Sequence, residues 1–224
     1  MKLALFDCDG TLVDSQLAIV SAMTTAWLAF GLVEGPDPAE VRRLAALPLT
    51  EAITIMLPGQ DAWKIKRLSG LCRDALYQRR HSGNRLPEPL FPGTREALEA
   101  LRDHGLMLGI ATGMSYHYLV DLLERHGIKD WFTTLQTADR VPGKPGPDMV
   151  FRALEESCTK LDETVVIGDT TYDIEMAHAA GVGSIGVSWG YHDVQELAMA
   201  GVRRIVNSRE EMAEAVLEVL GHNI

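Results

Sequence analysis

With 224 residues and 46% hydrophobic content, the chain can bury one sizeable core with a subordinate second unit. A formal net charge of −10 excludes the basic field that attracts nucleic acid or an anionic membrane, so a small anionic substrate needs a local positive site. Cys8, Cys72 and Cys158 lie far apart, lack metal-ligand spacing and cannot all pair, which points to a reduced, cytoplasmic setting.

The first predicted element is a buried strand, Leu3-Ala4-Leu5-Phe6, running straight into Asp7-Cys8-Asp9-Gly10. In a regular strand Asp7 and Asp9 share a face, and two like charges there repel unless a cation sits between them. One carboxylate then attacks and the other moves protons beside a magnesium-held phosphate; equally, Asp7, Asp9 and Gly10 read as an Asx-type turn. The apolar run is too short and too acid-terminated for a signal peptide, so the whole chain is expected in the mature protein.

Residues 15–33 carry no charge and are numerous enough to cross a bilayer. Gln16, Ser21, Thr24, Thr25 and Gly31 interrupt them, and Leu17, Val20, Trp27 and Leu28 recur at helical spacing, as in a helix buried in a soluble bundle. Gly35-Pro36-Asp37-Pro38 breaks the chain, and Asp37 caps a new helix. Pro48 opens another that Leu57-Pro58-Gly59 stops, and 62–81 reads as a longer amphipathic helix. With no convincing strand between 15 and 81, a helical cap domain is expected over 15–85, inserted into a core of 1–14 and 86–224.

Ser82-Gly83-Asn84 and Pro87-Glu88-Pro89 form the return linker. Alternation follows: a helix over 94–104 capped by Thr94, a strand over 106–111, a helix over 115–126, a weaker strand over 131–136, a helix over 147–157, a strand over 164–167, a helix over 171–180 and a strand over 184–187. Segments 193–200, 204–206 and 208–220 complete it. This pattern specifies an α/β fold, a doubly wound and mostly parallel sheet covered on both faces, with ligands outside the carboxyl ends of the strands. Asp7 and Asp9, Thr112-Gly113 and Gly168-Asp169 therefore project from one edge.

Thr112-Gly113, a hydroxyl and free amides before a helix N-terminus, reads as an anion site or as a cap and a turn. Lys144 sits in Val141-Pro142-Gly143-Lys144-Pro145-Gly146-Pro147-Asp148; loop lysines are ordinarily solvated, but prolines and glycines stiffen this loop enough to fix the ammonium. Asp169 and Asp173 follow the strand Val165-Val166-Ile167, either as ligands or as acids decorating a helix N-terminus.

Together the four stretches resemble the signatures of the haloacid dehalogenase superfamily, in its phosphoglycolate phosphatase-like branch with a helical cap. Asp7-Cys8-Asp9-Gly10-Thr11 resembles the first, Thr112 the second, with Gly113 where asparagine often follows, Lys144-Pro145-x-Pro147-Asp148 the third, and Gly168-Asp169-x-x-x-Asp173 the fourth. The resemblance implies a magnesium-dependent phosphatase acting on a small phosphorylated metabolite, phosphoglycolate-like or a sugar phosphate. Asp7 would form an aspartyl-phosphate, and Asp9 would protonate the leaving oxygen and later deprotonate water. Thr112, Gly113 and Lys144 would hold the phosphoryl group. Asp7, the Asp9 backbone carbonyl and Asp169 would hold Mg2+, with Asp173 binding it through water or orienting Lys144.

Arg42, Arg43 and the turn Ala46-Leu47-Pro48, where many relatives have glycine at the position of Ala46, are candidates for contacting the leaving group; the arginines read equally as solvated. Tyr116, His117, Tyr118 and Trp189-Gly190-Tyr191-His192 either line the mouth or pack. A phosphosugar mutase would use the same residues, though its relatives tend to carry valine where Thr11 stands; a dehalogenase is disfavoured by Asp9. A non-catalytic phosphate-binding regulatory module is disfavoured because every catalytic position is filled. No nucleic-acid or membrane partner is expected, and the chain is read as a monomer or homodimer.

Overall fold

The computed structural model describes residues 1–81 and 86–221. Six strands, β1 (Leu3–Phe6), β2 (Met107–Thr112), β3 (Phe132–Thr137), β4 (Thr164–Gly168), β5 (Gly183–Val187) and β6 (Arg204–Val206), form one sheet in the order β3-β2-β1-β4-β5-β6. Every adjacent pair is parallel, with Leu3 opposite both Met107 and Thr164. β1 is central and all four of its side chains are buried, its apolar leucines and phenylalanine each contributing about 1.5–3 kcal/mol. One apolar cluster, containing Phe6, Leu108, Ile110 and Ile167, covers one face of the sheet; a second, containing Leu3, Leu5, Met149 and Met176, covers the other.

Four helices, α1 (Gln16–Phe30), α2 (Pro38–Arg43), α3 (Leu49–Met56) and α4 (Ala62–His81), come between β1 and β2. They build their own apolar cluster around Met23, Trp27, Val41, Ile53 and Leu68. Asp37 caps α2 as expected, its Oδ1 accepting from the Ala39 amide at 3.0 Å. The buried stripe of α1 differs from expectation: Leu17 and Leu28 are exposed, whereas Ala18, Ala22, Met23, Ala26 and Trp27 are buried. Ala18, Ala22 and Ala26 recur every fourth residue along one buried side of α1, which packs against α4. No helix is long and apolar enough to cross a membrane among the described residues.

The two connections to this helical unit run side by side. Asp14 N–H donates to the Pro89 carbonyl at 2.9 Å and Phe91 N–H to the Leu12 carbonyl at 3.0 Å. The Ser82-Gly83-Asn84 part of the expected linker lies outside the described residues.

After β2 come α6 (Tyr116–Arg125), α7 (Asp148–Ser157) after β3 and α8 (Thr171–Ala180) after β4, with α5 (Thr94–Asp103) preceding β2. Gly93, in a left-handed conformation, is the residue that caps α5; Thr94 is its first helical residue, its hydroxyl turned toward the Leu12 carbonyl at 3.4 Å. Helices α9 (Val194–Met199) and α10 (Met212–Val219) flank β6. The loops after β1, β2, β3 and β4 therefore converge on one edge, facing α1 to α4.

Candidate active site

Asp7 leaves β1 as the strand ends, and its backbone N–H still pairs with the Ile167 carbonyl at 2.8 Å, which holds it rigidly beside β4. Lys144 Nζ lies 2.8 Å from Asp7 Oδ1 and 2.6 Å from Asp173 Oδ1. All three side chains are buried, Lys144 at 1% exposure, so the loop lysine that composition alone would place in solvent sits within the core. Its peptide bond to Pro145 is cis.

Asp169 and Asp173 are each held through both oxygens, Asp7 through one. Asp7 Oδ1 also accepts from the Cys8 amide at 2.7 Å. Asp173, in the first turn of α8, accepts on Oδ2 from the Thr170 amide at 3.0 Å and hydroxyl at 2.7 Å, leaving Oδ1 to the lysine. Asp169 accepts on Oδ1 from the Thr11 hydroxyl at 2.7 Å and on Oδ2 from the Tyr191 amide at 2.8 Å. Glycines make room for it: a Cβ on Gly10, whose φ is +81°, would lie 2.3 Å from Asp169 Oδ2, and one on Gly190 would lie 2.0 Å from Asp169 Cβ.

Burial pushes the Asp7 carboxyl up to about 6, with Lys144 pulling against it and Asp173 adding to it. Burial, then the charges of Asp7 and Asp173, push Asp169 well above the usual carboxylate range. For Lys144, burial favours the neutral amine, but Asp173 and Asp7 together outweigh it and hold the ammonium above its ordinary value. The neighbouring Cys8 thiol is pushed well up by burial and by Asp9, which keeps it an inert packing residue.

Three buried carboxylates with one buried ammonium leave the cluster short of positive charge. One oxygen from each of Asp7, Asp169 and Asp173 lies within 4.8 Å of the others, an all-oxygen donor set of the hard kind that magnesium prefers. The residues present thus fit a divalent cation.

Thr112 ends β2 with 1% exposure, its hydroxyl oxygen accepting from the Met114 amide at 3.3 Å and so keeping its proton free to donate. Gly113 lies beneath the loop between α2 and α3, where a Cβ would meet the Ala46 carbonyl at 3.2 Å. Asp9, partly exposed, lines a cavity of about 820 Å³ between this edge and the helical unit, together with Gly113, Leu47 and Pro48. Arg42 and Arg43 do not line it: Arg43 reaches outward to Glu196 at 3.5 Å, while Arg73 of α4 stands at the cavity.

The Trp189-Gly190-Tyr191-His192 segment packs behind the site. Trp189 Nε1 donates to the Thr11 carbonyl at 3.1 Å. His192 accepts on Nδ1 from the Thr171 amide at 3.2 Å, which places its proton on Nε2, 2.8 Å from the Arg43 carbonyl. Thr11, Thr170 and His192 are contributors that sequence reasoning missed in these roles. Thr170, preceding a helix with an acid three residues on, carried a legible capping-box signal; His192 carried none.

A parallel sheet with paired aspartates at the end of its central strand, a buried lysine and a second acidic loop defines a class of carboxylate-based hydrolases. Residues 4–187 match the model of the haloacid dehalogenase-like hydrolase family, and the chain belongs to that family. It is 34% identical to "Probable phosphatase IndB" of Dickeya dadantii (strain 3937), over 97% of this chain and 94% of that one. It is 29% identical to a phosphoglycolate phosphatase of Synechococcus elongatus, over 98% and 99%. Among solved structures, one described as a "predicted phosphatase" from Clostridium acetobutylicum superimposes with a TM-score of 0.85 at 26% identity, covering 97% of this chain and 98% of its own. The chain is an enzyme of a hydrolase family in which these curated relatives are named phosphatases.

Proposed function

We propose that this chain is a magnesium-dependent phosphatase that hydrolyses a small phosphorylated metabolite through an aspartyl-phosphate on Asp7. The observation that carries the reading is the buried Lys144 ammonium held between Asp7 and Asp173 at 2.8 and 2.6 Å, beside Asp169. Asp7 Oδ1 is occupied by Lys144 and the Cys8 amide, so Oδ2 is the oxygen that attacks phosphorus. Asp9, at the cavity floor, protonates the departing oxygen and then takes a proton from the water that cleaves the acyl phosphate. Thr112 and Lys144 donate to the phosphoryl oxygens, and Gly113 keeps the backbone close to them.

Asp7, Asp169 and the Asp9 backbone carbonyl would hold the magnesium ion. Asp173, with one oxygen on Lys144 and the other on Thr170, positions the lysine. When bound, the ion neutralises charge on the phosphoryl oxygens. Residues 15–85 act as the cap over a core of 1–14 and 86–224, a division supported by the separate apolar cluster of α1 to α4. Unpaired Cys8, Cys72 and Cys158 support a reducing cytoplasmic location, and the charge of −10 supports the absence of a nucleic-acid or membrane partner.

The test is phosphate release from a panel of phosphorylated metabolites, with magnesium and then with chelator, for wild type and Asp7→Asn. Magnesium-dependent release that the substitution abolishes is the expected result. Silence across the panel from a folded protein would overturn the reading.

A further inference from the structure

The cavity above Asp9 has a composition that the catalytic edge does not explain. Its volume, about 820 Å³, would hold roughly two dozen waters at about 30 Å³ each, several times the space that a two-carbon acid fills. Its inner wall is apolar and buried, with Met23, Val41, Leu44 and Leu47 from the helical unit facing Met114 and Tyr118 from the core. Tyr118 has its hydroxyl tied to Glu88.

The charges on the lining are arranged against an anionic leaving group. Among the described residues that line it, Arg73 is the one formal cation, and it is exposed and adjacent to Asp74. Asp121 is paired with Arg125 at 3.0 Å, and Asp139 accepts from the Tyr116 amide at 3.1 Å. No buried arginine or lysine stands on the described apolar wall to receive a carboxylate, whose desolvation there would go uncompensated.

Resting on the phosphatase reading above, we infer that the substrate is the phosphate monoester of an uncharged alcohol whose body is much larger than two carbons and presents an apolar face to the cavity wall. The phosphoryl group sits at Asp7 and Lys144, the ester oxygen at Asp9, and the alcohol's body between Met114 and the α1 to α3 side chains. A two-carbon carboxylate would leave this wall wet and its own charge unpaired.

The test holds the chemistry constant and varies the body. Ethyl phosphate, benzyl phosphate, 2-naphthylmethyl phosphate and phosphoglycolate all release alkanol-type oxygens, and kcat/KM is measured for each with magnesium. The expected result is a rise of at least about tenfold from ethyl to 2-naphthylmethyl phosphate, the range that apolar pocket contacts supply, with phosphoglycolate at or below ethyl phosphate. Phosphoglycolate outrunning ethyl phosphate, or a flat or falling aryl series, overturns this inference and leaves the phosphatase reading standing. Release from none of the four, nor from the metabolite panel, overturns both. In the Thr50→Trp variant, which adds bulk at an exposed point of the cavity lining, the 2-naphthylmethyl to ethyl ratio should fall. An unchanged ratio places the alcohol outside the cavity and overturns the inference.

Discussion

His192 Nε2 lies 2.8 Å from the backbone carbonyl of Arg43, while its Nδ1 accepts from the Thr171 amide at the start of α8. One buried imidazole therefore joins the helix that carries Asp173 to the end of α2 in the helical unit. His192→Ala should cost about 1 kcal/mol in denaturant unfolding, because the ring's hydrogen bonds to a part-buried amide and carbonyl are lost. It should also raise KM more than it lowers kcat, since the catalytic groups remain but the helical unit loses a tether. Equal stability and an unchanged KM would show that water replaces the ring without consequence.

Lys144 is expected to be the most costly single residue of the cluster. Lys144→Met leaves Asp7, Asp169 and Asp173 buried without their counter-charge, a loss of about 3–5 kcal/mol for the breaking of a buried ion network. Phosphate release should vanish with it. Denaturant unfolding of the metal-free variant at neutral pH is the measurement, and addition of magnesium should recover part of the loss.

The carboxyl of Asp7 carries a pH signature. Burial raises it from 3.8 to about 6 in the folded chain, so the folded state binds its proton more tightly than the unfolded state does. Its stabilising contribution is complete below about 4 and is lost as pH rises through about 6. In chelator, wild type should therefore lose Tm relative to Asp7→Asn between pH 4 and 6. The Tm gained on adding magnesium should be larger at pH 7 than at pH 5, because only the ionised cluster binds the ion. A magnesium shift independent of pH would contradict the proposed ligands.

Gly10→Ala and Gly190→Ala both press on Asp169, and Gly10→Ala strains the backbone at φ +81° as well, so Gly190→Ala is the cleaner probe. The added methyl groups would meet its side chain at 2.3 and 2.0 Å, so the carboxylate must leave its place between Thr11 and Tyr191. Half-maximal activity should then need about 10–100-fold more magnesium, the range seen when groups supporting a metal ligand are lost. Magnesium titration of phosphate release checks this.

What was legible in the sequence follows from what each feature depends on. Asp7, Asp9, Thr112 and Asp169 could be placed on one edge because parallel strands must return in the same direction, so their ends cluster whatever the side chains do. The burial of Lys144 depends on two carboxylates brought from distant strand ends, and no local pattern around a loop lysine carries that. The inward face of α1 is set by what packs on it, so the expected stripe was right at Val20 and Trp27 and wrong at Leu17 and Leu28, which face outward. Arg42 and Arg43 stood out for their charge, yet the cation at the cavity is Arg73, two loops and the whole of α3 later in the chain. His192 acts through its ring and a carbonyl of another segment, a relation that exists only once both segments are folded.

The central position of β1 bears on how the molecule comes into being. Asp7 is translated well before the residues it works beside: the strand that flanks it on one side pairs across about 160 residues, Leu3 with Thr164, and Lys144, Asp169 and Asp173 all follow more than a hundred residues after it. Closing so long a loop is slow, and it cannot begin until most of the chain has been translated. The nascent chain thus carries Asp7 over a long stretch of synthesis without Lys144, Asp169 and Asp173 around it, and the charged cluster assembles only with the completed sheet.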